Sequence, residues 1–439
     1  MTERQRSYVQ TLKNLIGCQT VSVVGEEDKS KFFAFHDLLE ICFPNLFEVL
    51  EKEVFNGSLL LRWRGKNSSS PVMFMNHHDV VEATGEWKFP PFSAEIFDGK
   101  VWGRGVLDTK GGLFCMLQAG EELVKEGFIP QSDVYFVSTC DEETEGLGAR
   151  LISKELENRG LKFQFVLDEG GMIVEEPISG AKGDYALIGV GEKSISSIKF
   201  TARSAGGHAS TPPKNSPLVR LGKFMAEVDS KKLFKVELGN VFCKMFKTIS
   251  TGMKPPLKWV LGNAKFFSPV LKKVVPNLSL SAGAMMKTTV AFTMAQASGG
   301  DNVIPESASV VANVRCCQHQ GIDESFAILQ KIANKYGVLA EIIDKGTESP
   351  ISDYSSKEFA MIEQTIAEIY EGAKTCPYVM TGASDCRFMS GLSKNCYRFT
   401  PFKINSEQLD SIHGVNENVD VKCLDKAVDF YKSVVKKIN

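Results

Sequence analysis

None of the 11 cysteines forms a C-x-x-C pair, and their number is odd. Both facts speak against a disulfide scaffold. Several of them, Cys115 for one, sit inside apolar runs, which suits reduced and buried thiols. No stretch approaches the roughly 18 apolar residues of a membrane-spanning helix, and Arg4, Arg6 and Lys13 interrupt any apolar core in Met1 to Thr20. Neither a spanning segment nor a secretory signal is expected, so the reading is a soluble, cytoplasmic protein. A basic excess is missing as well: 51 Lys and Arg stand against 53 Asp and Glu, a net charge of −2. That gives no footing for nucleic acid. There is no internal repeat and no low-complexity tract.

One absence is local. Leu238 to Gly300 holds no Asp or Glu, yet carries Lys244, Lys247, Lys254, Lys258, Lys265, Lys272, Lys273 and Lys287 among Phe242, Phe246, Trp259, Phe266 and Phe267. Such a segment could face a membrane, a partner or an anionic substrate with a greasy tail. The simpler arrangement is a pair of amphipathic helices with apolar residues packed inward and lysines solvated, and membrane contact is the less favoured reading.

What is present is enough for two domains: 439 residues, 43% of them hydrophobic and 24% charged. Up to about Gly189 the pattern alternates helix (Ser7 to Leu15, Lys31 to Cys42, Leu113 to Glu126) with strand (Ser58 to Arg62, Val72 to Met75). This predicts an α/β fold with helices on a doubly wound or mixed sheet. From Ser194 the order becomes β-α-β-β-α-β, with strands near Ile195 to Phe200, Thr288 to Met294, Ser309 to Val314 and Val338 to Ile343, and helices over Pro217 to Val228 and Glu324 to Tyr336. That is the ferredoxin-like arrangement. Helices over Ser356 to Tyr370 and Lys422 to Lys437 follow. The expected division is therefore a discontinuous first domain, 1–190 and 349–439, with 191–348 inserted as a compact α+β unit.

Three apolar runs end in groups that bind metals. Val72 to Met75 leads into His77, His78 and Asp79, Val134 to Val137 into Asp141, Glu142 and Glu143, and Phe165 to Leu167 into Asp168. In an open α/β sheet the carboxyl ends of parallel strands line the ligand crevice. Imidazole and carboxylate collected there suit zinc or a similar divalent cation. Residues two apart on a strand share a face, so His77 and Asp79 can cooperate, as ligand and as the acid that fixes its tautomer, while His78 points elsewhere. Gly103 to Gly112 (GRGVLDTKGG) brings Asp108 to the start of a helix. Taken alone, Asp108 would more simply cap that helix, but one carboxylate can also bridge two cations about 3.5–4 Å apart. Three adjacent acids, Asp141 to Glu143, repel one another unless cations neutralise them. One could then serve as a ligand and a neighbour as a base.

Together, H-x-D-V-V, G-R-G-x-x-D-x-K-G, D-E-E, L-D-E-G-G and the late H-G-V-N-E give the chain a resemblance to the di-zinc aminoacylase and carboxypeptidase family of metallopeptidases. P-P-F-S and W-G-R-G between Trp87 and Gly105 make it most similar to the carboxypeptidase S or Gly-Xaa carboxypeptidase branch. The resemblance implies two Zn2+ ions, with Co2+ or Mn2+ as possible substitutes. One would be held by His77, Asp108 and Asp168, and the other by Asp108, Glu143 and His413. It also implies Glu142 as general base beside a metal-bridging hydroxide, Asp79 orienting His77, and a cis peptide after Asp108. His208, in Gly206 to Ser210, would stabilise the oxyanion from the partner subunit of a homodimer formed through the insert, which doubles as a lid. Asn302, Arg315 and Arg387 would bind the free carboxylate of the substrate, a task that suits the planar fork of arginine. His36 and His319 are left as surface or structural residues.

The function so implied is hydrolysis of the amide bond of small peptides or N-acyl amino acids with a free carboxylate, of carboxypeptidase or dipeptidase type. The alternatives are an N-acyl amino acid deacylase or deacetylase and a catalytically silent metal-binding protein on the same fold. Glu142 beside Glu143 argues against the last, since a silent site has no use for an unliganded acid.

Overall fold

The computed structural model describes residues 1–278 and 280–438. Its centre is a ten-stranded mixed sheet. Four neighbouring strands in it, Ser132–Ser138, Asn67–Met75, Val166–Asp168 and Cys396–Arg398, run parallel. The antiparallel hairpin Leu50–Phe55 and Ser58–Trp63 extends one side. Asp184–Glu192, joined by Lys374–Met380 and Ile173–Glu175, extends the other. The fold is mixed α/β, as expected.

Alternation along the parallel strands explains why both faces are covered. Val72, Phe74, Val134 and Phe136 point into one core, with the helices Glu3–Gly17, Lys110–Lys125 and Val421–Lys437. Met73, Met75, Tyr135 and Val137 point into the opposite one, with Leu147–Asn158 and the 3-10 turn Asp385–Gly391. A strand buried on both faces has to be apolar throughout, which is why these segments read as unbroken runs.

A second sheet of four antiparallel strands is built in the order Thr289–Gln296, Ser307–Cys316, Ser194–Arg203 and Leu339–Asp344. Its two central strands, Ser307–Cys316 and Ser194–Arg203, alternate buried and half-buried residues. Ile198, Phe200, Val310 and Ala312 meet Leu221 and Phe224 of helix Pro217–Ser230 and Leu329 and Ala333 of helix Ile322–Lys335. This is the β-α-β-β-α-β pattern in three dimensions.

The acid-free segment departs from the expected pair of helices: among the described residues, Asn240–Ser250, Leu257–Gly262, Ser268–Leu278 and Leu280–Met286 are helical. Pro255, Pro256, Gly262 and Asn263 interrupt it where the chain cannot continue a helix. Its packing differs too. Val241, Phe242, Met245, Phe246 and Ile249 join the core of the large sheet rather than that of the small one, with Asn240–Ser250 lying against strand Lys374–Met380. All 11 cysteines are free thiols, buried or half-buried. Among the described residues no helix is long and apolar enough to cross a membrane.

Candidate active site

The parallel strands deliver their residues to one edge of the sheet. His77 follows Asn67–Met75, Asp141 to Glu143 follow Ser132–Ser138, and Asp168 is the last residue of its own strand. His77, Asp108 and Glu143 each place one potential ligand atom within 4.8 Å of the others. The two oxygens of Asp108 point to different histidines, with His77 Nε2 3.0 Å from Oδ1 and His413 Nε2 3.0 Å from Oδ2. His413 also lies 3.1 Å from a Glu143 carboxylate oxygen. Asp108 therefore stands between two imidazoles, the position a bridging ligand requires. The Asp108–Thr109 peptide is cis.

Asp168 is buried beside this group but outside the 4.8 Å cluster. Its Oδ1 accepts the N–H of Glu169 and its Oδ2 that of Cys386, both at 2.8 Å. Those bonds fix the carboxylate and leave each oxygen a further lone pair.

Asp79 does more than expected of it. The Nδ1 of His77 is 3.0 Å from the backbone oxygen of Asp79 and 3.3 Å from its Oδ1. The carboxylate itself accepts the backbone N–H groups of Glu142 (3.2 Å) and Glu143 (3.1 Å) and the hydroxyl of Ser22 (2.7 Å). One acid thus orients the histidine and the turn that carries both glutamates. His78 faces the other way, stacked on Phe35 with its Nδ1 2.9 Å from Ser138 Oγ.

The electrostatics identify the cluster as a place for positive charge. Burial disfavours protonation of His77, but hydrogen bonds to Asp108 and Asp79 raise its pKa well above the usual value. Hydrogen bonds to Asp108 and Glu143 raise that of His413 to about 10. Burial pushes Glu143 and Asp168 upward. A field that draws protons onto imidazoles draws divalent cations equally, and the oxygen and nitrogen donors suit zinc and its neighbours. Glu142 is half-buried, and desolvation followed by the charge of Asp385 raises its pKa well above that of an ordinary glutamate.

Of the residues expected to bind substrate, Arg387 has its Nη1 3.0 Å from the Ser384 carbonyl and 3.5 Å from Glu142 Oε1. Arg315 donates to Asn313 and to the Thr381 carbonyl, and feels the charges of Arg387 and Glu142. His208 and Asn302 are not brought to the cluster. They sit together, exposed, on the ribbon of Gly207–His208 and Val303–Ile304, where Ala209 N–H donates to the Asn302 carbonyl and His208 Nδ1 meets Ser210 Oγ. Among the described residues no hydrogen bond or ion pair joins them to His77, Asp108, Glu143 or His413.

Two supporting acids were missed. Glu417 is fully buried and accepts the N–H groups of Gly105, Leu107 and Asp108 together with the Arg104 guanidinium, so it shapes the loop that presents Asp108. The H-G-V-N-E string contained it, but only His413 had been given a role. Glu192, paired with the buried Arg398, accepts from Ser384 N and Oγ and so holds the segment leading to Arg387. No sequence pattern marked it.

An Asp-His-Glu cluster at the carboxyl ends of parallel strands, with His77 buried and Asp108 and Glu143 half-buried, and a further glutamate beside it, is the mark of a metal-dependent hydrolase. The sequence profile of peptidase family M20/M25/M40 matches residues 73–437, and the chain belongs to this family. It is accordingly an enzyme of the metallopeptidase and amidohydrolase class. It is 31% identical over 444 residues to the N-fatty-acyl-amino acid synthase/hydrolase PM20D1 of Xenopus tropicalis, covering 99% of this chain and 86% of that one. It is 30% identical over 432 residues to the protein named "Probable carboxypeptidase S-like 2" of Dictyostelium discoideum, covering 94% and 81%. The fold superposes on the M20 family metallo-carboxypeptidase Sso-CP2 from Sulfolobus solfataricus with a TM-score of 0.71 at 17% identity, covering 99% of each chain. Human carnosine dipeptidase 1 gives 0.70 at 13% identity, covering 99% and 96%.

Proposed function

We propose that the protein hydrolyses the amide bond of small peptides or N-acyl amino acids that carry a free carboxylate. The observation that carries this reading is Asp108, its two oxygens each 3.0 Å from a different histidine, beside the half-buried Glu142, which stands outside the His77, Asp108 and Glu143 cluster. His77, Asp108 and Asp168 would hold one divalent cation and Asp108, Glu143 and His413 a second, zinc being the expected metal. Bound there, the cations would polarise the scissile carbonyl and acidify a water enough for it to attack at neutral pH. Glu142 takes the proton of that water and returns it to the leaving nitrogen. Its raised pKa favours holding that proton between the two transfers. Arg387 and Arg315 converge near Glu142 as the cationic partners of the substrate carboxylate, while Asn302 and His208 are supplied by the partner subunit of a dimer, with the four-stranded unit as lid. A glutamine at Glu142 keeps the size and loses the base. Glu142→Gln is expected to lower kcat by ~10²–10⁴-fold with metal content unchanged, and wild-type turnover by this variant would rule the mechanism out.

Fatty N-acyl amino acids are the favoured form of the substrate. This rests on the name of the relative that is 31% identical along 99% of the chain. Comparing kcat/KM for long-chain and short-chain N-acyl derivatives of one amino acid with that for dipeptides tests it. A preference for dipeptides would return the reading to the carboxypeptidase side.

A further inference from the structure

The acid-free segment puts an apolar ridge on the outside of the molecule. Phe267 and Leu271 turn inward to the core, while Phe266, Val270 and Val274, four residues apart on the outer face, are 79%, 56% and 43% exposed. Trp259 is 62% exposed and stands beside them, 4.8 Å from the Phe267 ring, which is itself 5.0 Å from Phe266. Large apolar side chains clustered at this exposure mark a contact surface. The charge around them is mainly positive, with Glu237 paired to Lys272 at 2.5 Å. Lys254, Lys258, Lys265 and Lys273 are exposed, and among the described residues none of the four forms an ion pair. Immediately beside Phe266 opens a cleft of about 520 Å³ lined by Lys244, Lys247 and Lys265.

We propose that this ridge docks on an anionic phospholipid bilayer, with Trp259, Phe266 and Val270 entering the headgroup boundary and the lysine-lined cleft receiving a phosphate or carboxylate headgroup. Aromatic and aliphatic groups ringed by lysines are the composition of interfacial segments, in which apolar burial and attraction to anionic lipid add together. Lysine stems lie along the apolar surface and lift their charges to the headgroups. A protein partner would need acids matched to each lysine, whereas a bilayer supplies a continuous negative surface. The proposal stands on the patch alone and does not depend on which amide the enzyme cleaves.

The test is sedimentation of the full chain with phosphatidylcholine vesicles, with and without phosphatidylserine. Binding is expected only to the phosphatidylserine vesicles and should weaken as salt is added. Neutralising Lys244 or Lys265 to alanine should lower the partition coefficient about fivefold each, and Trp259→Ser with Phe266→Ser should abolish binding. A thermal midpoint held at the parent value certifies the fold of each variant, and the lysine variants alone decide the matter if the aromatic pair fails to fold. Equal binding to neutral vesicles, no binding to either, or binding unchanged in the lysine variants would overturn the proposal. So would dissociation of an oligomer by Trp259→Ser with Phe266→Ser, since the ridge would then be covered by a second copy of the chain.

Discussion

His36, His77 and His78 lie close together, and their surroundings give them different charges. His77 meets Asp108 and Asp79 and is drawn toward the protonated form or a cation. His78 is buried between Phe32, Phe35 and His36, and burial keeps it neutral. His36 is buried with its Nε2 2.9 Å from the Gly57 carbonyl, and burial lowers its pKa from 6.5 to about 4. Because the unfolded chain takes up this proton first, the stability that His36 contributes is complete above pH 6.5 and is lost as the pH falls from there toward 4. The loss between pH 7 and pH 5 is about 2 kcal/mol. Urea unfolding at the two values should reveal it, and His36→Gln should flatten the difference by that amount. An unchanged slope would place the titration elsewhere. Strand alternation made the split between His77 and His78 legible in the sequence. The aromatic wall around His78 was not, because Phe32 and Phe35 come from a helix that only the fold brings there.

Among the elements, the loop from Gly103 to Thr109 and the turn from His413 to Glu417 form one device, although more than 300 residues separate them. Glu417 ties the N–H groups of Gly105, Leu107 and Asp108 to the Arg104 guanidinium, whose Nη2 also reaches the Gly414 carbonyl at 2.8 Å. Removing the acid strands a buried arginine and frees the loop that aims Asp108. Glu417→Ala is expected to cost about 3–5 kcal/mol of stability and to weaken metal affinity ~10–100-fold. Thermal melting and metal titration would show both, and unchanged metal affinity would make Glu417 a packing residue only. The parallel strands Asn67–Met75 and Ser132–Ser138 were legible as apolar runs, because burial on both faces forces them, whereas helix Leu147–Asn158 and strands Asp184–Glu192 and Lys374–Met380 were not. Loops such as this one were legible only as motifs, since their geometry depends on backbone N–H groups that carry no sequence signature. The helical segment 240–286 shows the same limit: composition revealed that it was amphipathic, but not which sheet its apolar face would choose.

At the scale of the molecule, the candidate metal ligands meet at one edge of the large sheet while His208 and Asn302 remain exposed on their ribbon. A dimer in which each subunit lends these residues to the other predicts complementation. Inactive His208→Ala and Glu142→Gln proteins, dissociated and reassembled together, should recover about a quarter of wild-type activity, because half of the sites in the mixed dimers are intact. No recovery would exclude action in trans.

The most direct test of the central claim is turnover of a panel of dipeptides and N-acyl amino acids by protein stripped with a chelator and then reloaded with zinc. The stripped protein is expected to release no free amino acid, and zinc is expected to restore release. Equal turnover by the stripped and reloaded protein, or none by protein carrying two metal ions, would contradict it.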